Sequence, residues 1–229
     1  GVYQNTAETY ARDAQGNVMY NHQGQPIVMY NGNTQVYPGD ARYEDINHDG
    51  VINENDIVYL GNANPKFVGG GGFKFKYKDF MLTTFFYGRF GQKVINSARI
   101  DLESMYGTKN QSTAVLRRWR AEGDDTDIPR ALYGMGYNYL GSDRFVEDAT
   151  FIRLKTLSLS YNVPKKFLEK LGIGITRANL FATGYDLFTW TSYKGQDPEV
   201  SLPTATKLVK DNSQTPVSKR FAFGLTINF

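Results

Sequence analysis

Cysteine is absent from the 229-residue chain, so neither a disulfide bond nor a thiolate metal site can form. No run approaches the roughly 18 uncharged apolar residues that a transmembrane helix needs, which leaves only a barrel as a way to cross a membrane. The net charge of +3 is too small to imply a nucleic-acid partner. The only histidines are His22 and His48, so neither a Ser-His-Asp triad nor a histidine metal site is expected.

Aromatic residues, by contrast, are abundant: they form 14% of the chain, although its mean hydropathy is only −0.46. Residues 219–229 alternate between large apolar side chains and small or polar ones. The apolar set is Phe221, Phe223, Leu225, Ile227 and Phe229, and the other set is Ala222, Gly224, Thr226 and Asn228. Successive side chains of a strand point to opposite faces, so one face of this strand is wholly apolar. The pattern is typical of a transmembrane strand of about 9–11 residues, but a half-buried strand of a soluble sandwich alternates in the same way.

Four further strands are predicted upstream of this one. Residues 67–77 and 80–90 alternate around a two-residue turn, and residues 151–161 and 175–187 follow later. The alternation in the third strand slips by one position near Lys155. The slip predicts a β-bulge, or burial of the strand's upper end under a loop.

The lengths of the connections separate the transmembrane and soluble interpretations. Short connections follow the first and third strands, whereas the long segments 91–149 and 188–218 follow the second and fourth. If neighbouring strands are antiparallel, all long segments lie on one side of the sheet, as in outer-membrane barrels. The sequence therefore predicts an all-β fold, an antiparallel transmembrane β-barrel segment with long extracellular loops. Because about eight strands are the minimum for a membrane barrel, the remaining strands must come from an N-terminal part or from another polypeptide.

Residues 1–66 are predicted to form an extracellular loop region, and residues 67–229 the barrel strands. Within the first region, residues 45–56 fit the calcium-loop pattern D-x-[DN]-x-[DN]-G. Hard oxygen ligands at this spacing suit Ca²⁺, and the loop resembles the dockerin type. The predicted ligands of this structural ion are Asp45, Asn47, Asp49, Val51 through its carbonyl, Asn53 and Asp56. The alternative is a turn rich in Asn and Asp that binds no metal.

Several stretches in residues 39–229 closely resemble, in the same order, the C-terminal portion of SusC/RagA-type TonB-dependent outer-membrane transporters of Bacteroidetes. They are Gly39-Asp40, LGNANPKF (60–67), FFYG (85–88), LRRW (116–119), IPR (128–130), DRFVED (143–148), FIRLK (151–155), LSYNVP (159–164), LFTW (187–190) and GQDPE (195–199). The family commonly has Asn before the LFTW stretch, where this chain has Asp186. The terminal Phe229 is similar to the aromatic ending that the barrel assembly machinery recognises.

The resemblance implies an integral outer-membrane protein in which this chain supplies about the last five strands of a 22-stranded barrel. The plug domain and the TonB-binding motif of such proteins lie N-terminal to these residues. A SusD-like surface lipoprotein is the implied partner, the lipid bilayer the implied surroundings, and uptake of oligosaccharides or oligopeptides the implied function. The alternative from another class is a soluble, Ca²⁺-stabilised β-sandwich that binds carbohydrate.

Candidate substrate contacts are few, and no catalytic constellation is present. Tyr133, Tyr137, Tyr139 and Tyr193 lie in the long loops, where their rings could stack on sugars or brace the loops. Arg89, together with Lys74, Lys76 and Arg177, is expected to line a polar lumen and influence which solutes pass. Asp197 and Glu199 lie two apart with nothing to raise the pKa of either, so a structural role is favoured over a glycosidase pair. The chain is therefore not expected to be an enzyme.

Overall fold

The computed structural model describes residues 1–172, 174–201 and 210–229. The chain divides into two compact units, which we call the loop unit (Gly1–Leu60 and Ser97–Phe145) and the sheet unit (Gly61–Asn96 and Val146–Phe229). The predicted division at residue 66 does not coincide with these units, because residues 97–145 pack with residues 1–60. The extracellular position of residues 1–66 and of the long loops stays a prediction.

Most of the regular secondary structure in the described residues is strand. In chain order the strands are β1 (Tyr30–Asn31), β2 (Thr34–Gln35), β3 (Val51–Ile52), β4 (Phe67–Tyr77), β5 (Phe80–Phe90), β6 (Lys93–Asn96), β7 (Val146–Asp148), β8 (Phe151–Asn162), β9 (Arg177–Thr191), β10 (Lys210–Asp211) and β11 (Arg220–Asn228). The helices are α1 (Ser97–Glu103) and α2 (Lys165–Leu171), with 3₁₀ turns at Thr6–Thr9, Glu54–Asp56, Thr113–Arg117 and Tyr137–Tyr139. No helix among the described residues is long and apolar enough to cross a membrane.

The five long strands form one antiparallel sheet in the order β11-β9-β8-β5-β4. Each strand pairs with its neighbour in sequence among these five, as the sequence predicts. Lys78, with a φ of 53°, and Asp79 form the tight turn between β4 and β5. The predicted all-β fold class is confirmed.

The strand registers place the predicted apolar side chains on one common face, which we call the apolar face. One row across the sheet runs through Phe75, Leu82, Leu159, Ala182 and Phe223. Phe75 is 61% exposed, Leu159 47% and Phe223 80%. A soluble sandwich would bury such a face against a second sheet. The described residues leave it open, which disfavours the sandwich interpretation.

The predicted slip near Lys155 is a β-bulge. The pairing of β8 with β9 shifts between Leu154 and Thr156, so that Lys155 stands opposite the two residues Asp186 and Leu187. Asp186 has a φ of 54°, a left-handed conformation that Asp and Asn adopt more readily than most residues. Beyond the bulge, Leu154 pairs with Phe188, and the apolar side chains of β8 lie on the apolar face again.

The loop unit and the periphery of the sheet unit have small cores of their own. In the loop unit, Tyr3, Ala11 and Ile52 are buried in one cluster, and Ile128 and Phe145 in another. In the sheet unit, β6 pairs with β7 and β10 beside a third cluster. This third cluster contains Val94, Ala149, Tyr193 and Val200. These clusters hold the long connections in defined conformations.

Within the long segment 91–149, the sequence of residues 112–121 predicts a short helix, but only part of this stretch is helical. It is a single 3₁₀ segment, Thr113–Arg117, capped by the Ser112 side chain, which accepts the N–H of Ala114. The chain then leaves the helix because the Trp119 N–H donates to the Ile128 carbonyl at 2.9 Å. The later predicted loop, residues 188–218, begins at 192 because β9 extends to Thr191, and its part 202–209 lies outside the described residues.

The two faces of β11 allow a matched test of membrane exposure. We expect Phe223→Arg to destabilise the intact protein that contains this chain by about 2–4 kcal/mol if the position lies near the bilayer centre, because the charge enters lipid. Thr226→Arg on the polar face is the control and should change stability by less than about 1 kcal/mol. Urea unfolding in lipid vesicles measures both variants. Equal losses would contradict the assignment of the faces.

Candidate functional site

Arg153 of β8 is the centre of an ion-pair network on the polar face of the sheet. Its side chain is only 3% exposed, and its guanidinium reaches Asp197 at 2.5 Å and Glu199 at 2.7 Å. The third donor direction is satisfied because Nε donates to the Thr189 hydroxyl at 2.8 Å. A buried charge without such partners would be strongly destabilising, so these contacts account for an arginine in this position.

The bulge adds its own charged side chains to the network. Lys155 Nζ lies 2.8 Å from Glu199 and 3.2 Å from Asp186, and Arg220 approaches Asp186 at 3.8 Å. The bulge leaves Lys155 of β8 and Asp186 of β9 outside the regular strand pairing. Their side chains therefore need not follow the alternation between the two faces of the sheet. The network therefore links β8, β9 and β11 to the segment 192–201.

Asp197 fixes the conformation of the segment that follows β9. Its carboxylate accepts the backbone N–H of Glu199 at 2.8 Å and that of Val217 at 3.0 Å. Burial by itself would raise the pKa of Asp197, but these two N–H groups and Arg153 outweigh it and lower the pKa below its usual range. A cavity of about 370 Å³ lies against the network, lined in part by Arg153, Thr189 and Lys219. The geometry gives Asp197 and Glu199 a structural role, as the sequence suggested.

The loop unit contains a second buried charge cluster, centred on Asp40. This carboxylate is 1% exposed and receives Arg130 through two nitrogens, at 2.7 and 3.1 Å. Asn138 Nδ2 donates to it at 3.1 Å and the Tyr37 N–H at 2.9 Å. Two stretches of the resemblance, 39–40 and 128–130, thus meet through one bidentate ion pair, which is the strong geometry for Arg and carboxylate.

The predicted substrate tyrosines are placed very differently from one another. Tyr133 is 77% exposed, whereas Tyr139 and Tyr193 are buried. Tyr193 donates its hydroxyl to Asp211 at 2.6 Å. Burial raises the pKa of both buried tyrosines above the ordinary value, and for Tyr193 the contact with Asp211 adds to this effect. These two side chains brace their loops, and stacking on a sugar stays a prediction for Tyr133.

The other two predicted contact residues, Tyr137 and Arg89, also have protein partners. The Tyr137 hydroxyl receives a bond from Arg130 at 3.3 Å. Arg89 donates to the Val200 carbonyl at 2.8 Å and to the Tyr87 hydroxyl at 2.9 Å. Their contact with a solute is not tested by this arrangement and stays a prediction.

The predicted calcium loop, residues 45–56, is closed by its own side chains. Asp45 accepts the N–H groups of Asp49 at 3.2 Å and Gly50 at 2.8 Å, and Asp49 accepts that of Val51 at 2.8 Å. Asp56 accepts the Asn53 N–H at 2.8 Å, which ties the end of the pattern to its middle. Gly50 has a φ of 82°, as the sharp turn of the pattern requires.

The donor set of this loop keeps capacity for a hard cation. Asp49 also accepts the Asn47 side-chain amide at 2.8 Å, and Asp56 also accepts the Ile46 N–H at 2.8 Å, so each oxygen of Asp45, Asp49 and Asp56 receives one donor. A carboxylate oxygen has two lone pairs, so one on each oxygen is left for a cation. The described residues, however, contain no group of three or more His, Cys, Asp or Glu side chains close enough to hold a metal ion. A calcium site here would therefore depend on Asn47, Asn53 and the Val51 carbonyl as well, and it stays a prediction.

A five-stranded antiparallel sheet with one apolar and exposed face and one polar face is the architecture of a membrane β-barrel segment. No protein-family model matches the chain. The chain is 30% identical over 198 residues to TonB-dependent receptor P3 of Formosa agariphila, covering 84% of this chain and 19% of that protein. It is 34% identical over 167 residues to TonB-dependent receptor P26 of the same organism, covering 71% of this chain and 16% of that protein.

Solved structures agree with these relatives. The structure of the RagAB peptide transporter matches with a TM-score of 0.64 and 26% identity, over 75% of this chain and 18% of that one. The RagAB peptide importer in its closed-closed state matches with a TM-score of 0.65 at 22% identity, over 92% and 20% of the two chains, and supports the fold. The resemblance to SusC/RagA-type TonB-dependent transporters is therefore confirmed. This chain spans about a fifth of the length of these related proteins.

Removing Arg153 tests the network. In the intact protein, we expect Arg153→Ala to release the segment 192–201, because breaking a buried ion pair by removing one partner costs about 3–5 kcal/mol. Arg153→Lys should restore little of the order of this segment, since a single ammonium group cannot bind both carboxylates through separate nitrogens as a guanidinium does. Hydrogen exchange at the Glu199 and Val217 amides measures the release.

A matched control is available in the same unit. The pair Lys93–Asp148, at 3.3 Å, is about 40% exposed on both sides (39% and 41%). Lys93→Gln should therefore change stability by only about 0–1 kcal/mol. Similar effects from both substitutions would show that the Arg153 network has no special role.

The lowered pKa of Asp197 predicts an acid dependence of the same segment. A carboxylate with a depressed folded pKa contributes stability that is complete above its unfolded pKa of about 3.9 and is lost as pH falls through the folded value. Protection of the Val217 amide should thus persist at about pH 4 and fall at lower pH. Asp197→Asn should remove this part of the pH dependence. A protection loss centred well above pH 4 would contradict the prediction.

Proposed function

We propose that this chain forms part of a TonB-dependent outer-membrane importer of oligosaccharides or oligopeptides that acts with a SusD-like surface lipoprotein. The carrying observation is the sheet itself: five antiparallel strands expose one apolar face, and a network on the polar face fixes the segment after the fourth of these strands. The related proteins, named as TonB-dependent receptors and as a peptide transporter, support the same function.

In this proposal the apolar face contacts lipid and the polar face borders the path of the solute. The outer strands β4 and β11 each pair on one side only among the described residues. Unpaired backbone groups in lipid cost several kcal/mol each, so further strands of a longer protein are expected to complete the barrel. A plug and a TonB-binding segment would likewise belong to that longer protein and would couple transport to the proton gradient of the inner membrane.

The contribution of this chain is a rigid wall with fixed loops. Arg153 and Lys155 hold the segment 192–201 against the sheet, and Arg130 and Asp40 hold two distant stretches of the loop unit together. Preorganised loops reduce the ordering cost when a solute or a partner protein binds. Of the two substrate classes, oligopeptides have the additional support of the neighbour described as a peptide transporter.

Uptake by cells tests this function. A strain with the intact gene should accumulate fluorescent oligopeptides or oligosaccharides, and accumulation should fall to background on deletion of the gene or addition of a protonophore. The intact protein should also need detergent for extraction and should co-purify with a surface lipoprotein. Unchanged uptake after deletion, or recovery of the protein as a monomer in detergent-free buffer, would contradict the proposal.

We propose further that residues 45–56 bind a structural Ca²⁺. The support is the spacing of the oxygen donors and the turn at Gly50, with carboxylates that retain free lone pairs. Calcium at 100 times its dissociation constant should stabilise the fold by about 2.7 kcal/mol, measured as a rise in the unfolding temperature after chelation and readdition.

Two aspartates make a matched pair for the calcium test. Asp45→Ala should abolish the response to calcium. Asp13→Ala should leave it intact, because Asp13 accepts local N–H groups of Gln15 and Asn17 in a turn outside the pattern. A chain that shows no calorimetric heat and no thermal shift with Ca²⁺ would refute the site.

A further inference from the structure

The charged residues of the five long strands are almost all of one sign. Asp186, at the bulge, is the only acidic residue in β4, β5, β8, β9 and β11. The basic residues of these strands are Lys74, Lys76, Arg89, Arg153, Lys155, Arg177 and Arg220. By strand register they lie on the polar face or, for Lys155, at the bulge, and the apolar face carries no charge.

The protein neutralises only one part of this positive face. Arg153 and Lys155 are paired with the carboxylates of Asp197 and Glu199, which come from the segment after β9. These contacts, at 2.5 to 2.8 Å, show that cations on this face bind carboxylates with good geometry.

Two further basic residues have other partners, since Arg220 lies 3.8 Å from Asp186 and Arg89 donates to the Val200 carbonyl and the Tyr87 hydroxyl. The three that are left, Lys74, Lys76 and Arg177, form what we call the open cationic set. All three side chains are exposed. In the described residues none of them has an acidic partner within ion-pair distance, and the sequence of residues 202–209 contains no acidic residue to supply one. An ordinary solvated surface mixes both signs of charge, whereas a surface of one sign attracts and concentrates solutes of the opposite sign.

We propose that the polar face of this sheet favours carboxylate-bearing oligomers over neutral ones, through the open cationic set. Acidic oligopeptides and oligosaccharides that contain uronic acids share this chemistry. The proposal rests on the proposed import function, because it assigns a solute preference to the face that borders the path. It concerns attraction along the path, since the three side chains are spread over two strands of the sheet and do not form one pocket.

Neutralising the open cationic set tests the preference. The variant Lys74→Gln/Lys76→Gln/Arg177→Gln removes three charges from the polar face of the intact protein. The control variant Lys165→Gln/Lys166→Gln/Lys170→Gln removes three exposed charges from α2, outside the sheet. Initial uptake is measured for a neutral and a glutamate-containing peptide of equal length, and for a neutral and a uronic-acid oligosaccharide. Barrel integrity of each variant is checked by its heat-modifiable gel migration.

We expect the face variant to lower the acidic-to-neutral uptake ratio by about tenfold at low salt, in the peptide arm or the sugar arm, and by less at high salt. The control variant should keep the ratio of the unmodified protein. An unchanged ratio in both arms, with uptake still driven by the proton gradient, would overturn the preference and leave the import function standing.

Equilibrium binding separates the two proposals if the unmodified protein takes up none of these solutes. Fluorescence anisotropy of the same labelled oligomers with the purified intact protein in detergent then reports the preference without transport. Tighter binding of the acidic oligomers, lost in the face variant only, supports the preference. Equal binding of acidic and neutral oligomers overturns it.

Discussion

The strict alternation of side chains between two faces is the constraint on which the rest of this structure depends. A sheet in lipid must pair its backbone groups between strands and direct only apolar side chains outward. The five long strands satisfy both conditions: each is hydrogen-bonded to its neighbour, and charges are confined to one side. The exposure of Phe223, which would be unfavourable in water, becomes favourable where acyl chains replace the solvent.

The bulge shows how one local irregularity serves both faces. Without the inserted residues, Ile152 and Leu154 would point to the polar face; with them, they return to the apolar one. The same insertion directs Lys155 and Asp186 into the ion-pair network. The bulge therefore preserves the apolar face and at the same time fixes the segment that carries Asp197. Since Asp186 adopts a positive φ, Asp or Asn suits the position conformationally, while only Asp provides the charge for Lys155.

The strands, their order and the bulge could be predicted because alternation with a period of two is a local property of the sequence. The ion pairs could not, because Arg153 and Asp197 are 44 residues apart and Asp40 and Arg130 are 90 apart, and no spacing rule relates them. The stretches that carried the family resemblance did contain all four residues, so their pairing gives a physical reason for those stretches. The burial of Tyr139 and Tyr193 was equally hidden, since an aromatic residue in a loop can either cover a core or face the solvent.

Site-directed spin labelling along β11 tests the assignment of the two faces most directly. The chain has no cysteine of its own, so single cysteines introduced at positions 221–228 give unique labelling sites within it. In the intact protein in lipid vesicles, accessibility to oxygen, which partitions into lipid, should be high at 221, 223, 225 and 227, and accessibility to a water-soluble nickel chelate should be high at the positions between them. The account would be contradicted if accessibility to the two reagents did not alternate along the strand. It would also be contradicted if accessibility to the nickel chelate were high at every position.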